Sequence, residues 1–260
     1  MDINERAELA QRAARAAGKL VSEQRRFQVR TKSAHDYVTE MDLKSEKLIR
    51  ETLLSACPED EFFGEEGGGS RSEKGRWIVD PIDGTTNYIH GIHCYSISIA
   101  YEENGELVLG VVYCPPLDEM YVGIRGQGAT MNGTPLHLHP LEKISDAVIG
   151  MSFSHRDPEN QKRTLAALPK LLPQINDLRR MGSAAYDLCS IAAGRYDGFF
   201  ELGLFIYDIA AGIVIVREAG GICAGWTSDE DVLKTGNIIA GSAALVSFLQ
   251  RQLNEPQEAE

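Results

Sequence analysis

The chain has 260 residues, long enough for one large domain or two lobes with a sizeable core. Its 26 Lys and Arg against 38 Asp and Glu leave a net charge of −12, which argues against a general polyanion binder such as nucleic acid except at a local basic patch. The five cysteines (Cys57, Cys94, Cys114, Cys189, Cys223) are odd in number, widely spaced and form no C-x-x-C pair, which argues against a zinc site or a disulfide framework and for reduced thiols in a cytoplasmic protein.

No signal peptide is expected, because Met1 to Arg6 holds neither a basic leader nor an apolar stretch. The most apolar run, Leu202 to Val216, is too short to span a bilayer and contains Asp208. Ile3, Ala7, Ala10, Ala14, Ala17 and Val21 step by three and four, which predicts an amphipathic helix ending near Arg25. A loop over Thr31 to Asp36 follows, then a helix from about Met41 to Ala56 capped by Thr39. Trp77 to Val79 reads as a short strand broken by Pro81 and Gly84. Ile97–Tyr101, Leu107–Tyr113 and Glu119–Ile124 read as strands, the first two joined by a hairpin turn at Glu103-Asn104-Gly105. Turns are expected at Arg125-Gly126-Gln127-Gly128 and at Asn132-Gly133.

The second half alternates between strand and helix. Strands are expected over Ala147–Phe153, Asp177–Met181 and Asp197–Leu202. Helices are expected over Glu159–Leu172, Ser183–Ala193 and Tyr207–Ala219, the last stopped by Gly220-Gly221. This is an α/β pattern. An N-terminal α+β lobe over 1–145 and a C-terminal α/β lobe over 146–260 are expected, with a frayed polar tail from Asn254.

The most informative stretch is Trp77-Ile78-Val79-Asp80-Pro81-Ile82-Asp83-Gly84-Thr85-Thr86-Asn87. Two carboxylates three residues apart on a stiff turn suit a hard divalent cation, which prefers oxygen ligands. Gly84 allows close backbone approach, and Thr85, Thr86 and Asn87 are residue types that open a helix, whose free amides attract an anion. Glu65 in Gly64-Glu65-Glu66 and Asp208 are further acidic sites at the ends of predicted elements. If Glu65, Asp80, Asp83 and Asp208 converge, their mutual repulsion is relieved by Mg²⁺, which shares carboxylates with substrate phosphate.

Gly64-Glu65-Glu66, the Trp77 to Tyr88 motif, Gly182 to Leu188, Tyr207 to Gly212 and Glu218 to Gly221 together resemble the inositol monophosphatase family, over about Ala7 to Gly241. That family belongs to the lithium-sensitive, Mg²⁺-dependent phosphatases. The resemblance implies a layered αβαβα sandwich of the inositol monophosphatase/fructose-1,6-bisphosphatase type, a homodimer, a small phosphorylated substrate and two to three Mg²⁺ ions per site. It implies that Glu65, Asp80 and the Ile82 carbonyl hold one ion, that Asp80, Asp83 and Asp208 hold a second, and that Glu65 holds a weaker third through waters. Thr85 with Glu65 would position the attacking water, making Glu65, Asp83 and Thr85 the catalytic set. The amides of Gly84, Thr85 and Thr86 would hold phosphate, and Gly182, Ser183, Ala184 and Glu201 would contact the alcohol part, with Asp83 and Asp208 beside it. Lys32 and Asp36 would lie in a mobile loop, with Asp42 following it.

Two departures stand out. The family usually has Trp where this chain has Tyr207, and the Gly67-Gly68-Gly69-Ser70 run is unusually flexible for a segment beside Glu65. The six histidines (His35, His90, His93, His137, His139, His155) are scattered and suggest no pairing. Ser183 lacks a nucleophile-elbow setting, and the glycine run lacks the Lys-Ser/Thr of a phosphate-binding loop. Arg179-Arg180 is the one compact basic pair near the expected site. The expected function is Mg²⁺-dependent hydrolysis of inositol-1-phosphate. Histidinol phosphate, fructose-1,6-bisphosphate and 3′-phosphoadenosine nucleotides are rival substrates, and a mainly regulatory, protein-binding role is the alternative of another class.

Overall fold

The computed structural model describes residues 1–24, 26–33, 36–69, 75–154 and 157–254. Helix α1 (Ile3–Glu23) opens on a capping box in which Asp2 accepts the Glu5 amide and Glu5 accepts the Asp2 amide. It buries Ala7, Ala10, Ala13, Ala14 and Ala17, a face of small side chains. Its expected end at Arg25 lies outside the described residues. The segment expected as a loop forms an antiparallel pair, β1 (Val29–Ser33) and β2 (Asp36–Thr39). Backbone pairing holds this hairpin rather than a buried apolar face, so the sequence carries no alternation that would reveal it. Helix α2 (Glu40–Ala56) follows directly, capped by Thr39.

Strand β3 (Glu61–Gly64) runs parallel to β4 (Arg76–Asp83), which leads into the short helix α3 (Thr85–Ile89). Strands β5 (Ser96–Glu103), β6 (Glu106–Cys114), β7 (Glu119–Ile124), β8 (Gly128–Met131) and β9 (Thr134–Leu136) complete a seven-stranded sheet in sequence order. The second half contributes β10 (Val148–Met151), α4 (Pro158–Leu171), β11 (Asp177–Arg179), α5 (Ala184–Ala192), β12 (Gly198–Glu201) and α6 (Ile206–Glu218). It ends with β13 (Ile222–Ala224), α7 (Val232–Thr235), β14 (Ile238–Gly241) and α8 (Ala243–Asn254). Its five strands are ordered β11-β10-β12-β14-β13.

The layers follow from which faces are apolar. Helices α1 and α2 cover one face of the seven-stranded sheet, burying Ile49, Leu53, Trp77, Val79, Ile97, Ile99 and Tyr101 between them. Helices α5 and α6 cover the other face, over Ile78, Ala100, Val112 and Tyr121. The opposite sides of α5 and α6 rest on Phe199, Ile238 and Ala240 of the five-stranded sheet. Helices α4 and α8 close that sheet from outside, against Ile149, Phe200, Trp226 and Ile239. The result is the αβαβα sandwich expected from the sequence. Helix α6 approaches the first sheet over two glycines: a Cβ at Gly110 would lie 2.2 Å from the Ala211 carbonyl oxygen, and one at Gly123 would lie 2.9 Å from Ile215 Cα.

Candidate active site

Strand β4 is buried along its whole length, so no polar alternation marks its extent, and it runs through Pro81 to Asp83 instead of ending near Val79. Its ladder with β5 pairs Asp80 with Ser98, then breaks and resumes at Asp83 with Ser96. The irregularity tolerates the missing amide of Pro81 and presents both aspartates at one end of the sheet. The Ile82 amide donates to Asp80 Oδ1 (2.9 Å), fixing the turn. Gly84 then takes φ +93°, a left-handed conformation open to glycine, and the chain enters α3. The first-turn amides of α3 have no helical acceptor.

Residues from the second half complete the site. Asp83 Oδ2 accepts the Ser183 hydroxyl at 2.6 Å and the Ala185 amide at 2.8 Å, so the start of α5 docks on it. Asp208, in the first turn of α6, accepts the Phe205 amide at 2.7 Å. One carboxylate oxygen each of Asp80, Asp83 and Asp208 lies within 4.8 Å of the others. Burial, then the charges of Glu65, Asp83 and Asp208, raise the Asp80 carboxyl well above its usual value. Burial pushes Asp83 up to about 6 despite its hydrogen bonds from Ser183 and Ala185.

Glu65 lines the same cavity but stands outside the three-aspartate cluster. Its carboxylate pairs with Lys32 Nζ at 3.1 Å, and Lys32 also pairs with Glu66. Burial pushes Glu65 up to about 7, with Lys32 pulling the other way and Glu66 adding to the rise. The Thr85 hydroxyl lies 3.0 Å from the Ile82 carbonyl oxygen and 3.2 Å from Asp42 Oδ1, two acceptors for its one proton.

Several expected residues have a different setting. Lys32 lies in strand β1, and Asp36 opens β2. Asp42 belongs to the first turn of α2, not to the β1–β2 connection: it is fully buried and accepts both the amide and the hydroxyl of Thr39. Gly84, Thr86, Gly182, Ala184 and Glu201 line the cavity, whereas the Ser183 hydroxyl turns into Asp83 and Ser96. Tyr207 stacks on Phe205 at 5.2 Å. The glycine run is a tight turn at its start, where Gly64 and Gly68 exchange amide and carbonyl hydrogen bonds (3.1 and 3.2 Å); Ser70 lies outside the described residues, as do His35 and His155.

Several site roles are set by tertiary contacts. Glu46 of α2 accepts the amides of Glu66 (2.7 Å) and Gly67 (2.8 Å), holding the turn that carries Glu65. Its one signal is a charge on the same helix face as Ile49 and Leu53. Asn87 ties α3 to the second half by donating to the carbonyls of Cys94 (2.6 Å) and Met181 (2.7 Å). Ser152, Ser154 and Arg180 also line the cavity, which encloses about 330 Å³. No pattern marks Ser152 or Ser154, which come to the cavity only through the second sheet, whereas Arg180 belongs to the basic pair expected near the site.

The donor set consists of hard oxygens, with three carboxylates held together against their own repulsion, and this fits Mg²⁺. Comparison with known proteins agrees. A profile of the inositol monophosphatase family matches residues 2–258. An inositol-1-monophosphatase of Mesorhizobium japonicum is 39% identical over 99% of this chain and 97% of its own. The Nus factor SuhB of Pseudomonas aeruginosa is also 39% identical, over 94% and 96%. The crystal structure of the extragenic suppressor protein suhB of Bartonella henselae superposes with a TM-score of 0.92 at 38% identity, covering 96% of this chain and 98% of that one. The chain belongs to the inositol monophosphatase family.

Proposed function

We propose that this chain hydrolyses a small phosphate monoester in a Mg²⁺-dependent reaction, with inositol-1-phosphate as the leading substrate. The observation that carries this reading is the meeting of Asp208 with Asp80 and Asp83 beside the free amides of α3. Glu65, Asp80 and the Ile82 carbonyl would hold one Mg²⁺ ion, Asp80, Asp83 and Asp208 would hold a second, and Glu65 would hold a weaker third through waters. When bound, Mg²⁺ supplies the positive charge and Lewis acidity that phosphoryl transfer needs.

The chain's own groups do the rest. The Thr85 hydroxyl, with acceptors in Asp42 and the Ile82 carbonyl, is placed to orient a water and pass its proton inward. Glu65 lines the same cavity and, with Thr85, would position the attacking water. Gly84, Thr85 and Thr86 present amides to the phosphate oxygens. Asp83 is locked by Ser183 and Ala185 and keeps its orientation throughout. Glu201, at the end of β12, accepts a hydrogen bond from a hydroxyl of the alcohol part.

Histidinol phosphate, fructose-1,6-bisphosphate and 3′-phosphoadenosine nucleotides remain rivals on this core. Phosphate release from each of the four esters, with and without Mg²⁺, ranks them; strongest turnover of one of the other three overturns the inositol assignment. We place the protein in the cytoplasm, in keeping with five free, buried cysteines, and as a homodimer. None of the described helices is long and apolar enough to cross a membrane. A second reading, a regulatory role through a macromolecular partner, is favoured by relatives named Nus factor SuhB. A pull-down yielding a stoichiometric partner supports it, and its absence counts against it.

A further inference from the structure

Strands β10 and β12 are parallel neighbours whose register pairs Gly150 with Phe199 and Met151 with Phe200. β10 ends at Met151, and continuing its register by one residue would set Ser152 beside Glu201, the last residue of β12. Paired residues of adjacent parallel strands point to the same face, on backbones about 4.8 Å apart. Both line the cavity, and both are almost enclosed, at 7% exposure each. Neither the Ser152 hydroxyl nor the Glu201 carboxylate makes a hydrogen bond to any described protein group, and they do not bond to each other. Both polar groups open into the cavity, where a bound molecule rather than the protein can satisfy them.

We propose that Ser152 is a specificity-determining residue, which together with Glu201 clasps one hydroxyl of the substrate's alcohol part. The Ser152 hydroxyl donates to the substrate oxygen, and that oxygen's proton is donated to the Glu201 carboxylate. The clasp selects esters of a polyhydroxylated ring or chain over esters whose leaving group bears no hydroxyl, because the latter leave both protein groups unsatisfied. This inference rests on the phosphatase reading above and adds to it a residue and a substrate feature.

The test is steady-state kinetics with saturating Mg²⁺ on inositol-1-phosphate and on p-nitrophenyl phosphate. The proteins are the native chain, Ser152→Ala, Glu201→Gln and the double variant. One net hydrogen bond corresponds to about a tenfold change. Ser152→Ala should therefore lower kcat/KM for inositol-1-phosphate about tenfold, mainly through KM, with a loss on the aryl ester several-fold smaller. If both groups hold one hydroxyl, the double variant should lose little more on inositol-1-phosphate than Glu201→Gln alone. Equal losses on the two esters would assign Ser152 a purely structural role and overturn the inference. Fully additive losses, or no loss at all, would overturn it as well, while leaving the phosphatase reading intact. Turnover of neither ester by the native protein would remove the phosphatase reading and this inference with it.

Discussion

Asp83 stands where the two halves of the chain meet, since one of its oxygens takes the Ser183 hydroxyl and the Ala185 amide while the residue faces Asp80 and Asp208. Asp83→Asn removes a charge the cation needs and should cut kcat by at least about 10²-fold, several kcal/mol of transition-state stabilisation. The fold should persist, because the change relieves repulsion; a variant with near-native kcat would take Asp83 out of the site. The same crowding has a pH signature. Asp83 and Glu65 hold their protons more tightly folded than unfolded, at about 6 and about 7 against ordinary carboxyl values. In the metal-free protein the stability they contribute is complete below the unfolded values and is lost as pH rises through about 6 and then about 7. Mg²⁺ binds the deprotonated forms, so the rise in Tm on adding Mg²⁺ should grow between about pH 5 and pH 8. Melts in EDTA and in Mg²⁺ across that range check this, and a Mg²⁺ effect that shrinks with rising pH would contradict it.

Among the elements, α6 ties site to scaffold most directly, because it carries Asp208 and crosses the first sheet over Gly110 and Gly123. Gly110→Ala sets a Cβ 2.2 Å from the Ala211 carbonyl oxygen, so the helix must lift. We expect a loss of about 1–3 kcal/mol in urea unfolding, together with weaker Mg²⁺ binding as Asp208 shifts. Unchanged stability would mean that the helix does not bear on that strand. Elements with a strong period were legible in the sequence. Helix α1 shows its alanine stripe, β7 matches its expected span, and α5 and α6 fall within a residue or two of theirs. Elements whose stability comes from their neighbours were not. The turns around Gly126 and at Asn132-Gly133 are where they were expected, but strands β8 and β9 beside them, like the four-residue β14, are too short to show a period. The same division holds within the site. Asp80, Asp83 and Asn87 announce themselves through a local motif, whereas Glu46 and Ser152 take their places only by tertiary contact.

At the scale of the whole molecule, the two sheets share one central helical layer. Helices α5 and α6 belong to the second half of the chain yet pack on the strands of the first. We propose that this layer assembles one Mg²⁺-dependent phosphatase site from both halves. The most direct measurement is phosphate release from inositol-1-phosphate by EDTA-stripped protein as Mg²⁺ is added back, with Asp208→Asn alongside. No release is expected without the cation, with recovery on adding Mg²⁺ and at least about a 10²-fold lower rate for the variant at saturating Mg²⁺. Release that is indifferent to EDTA, or an Asp208→Asn protein as active as the native one, would contradict it.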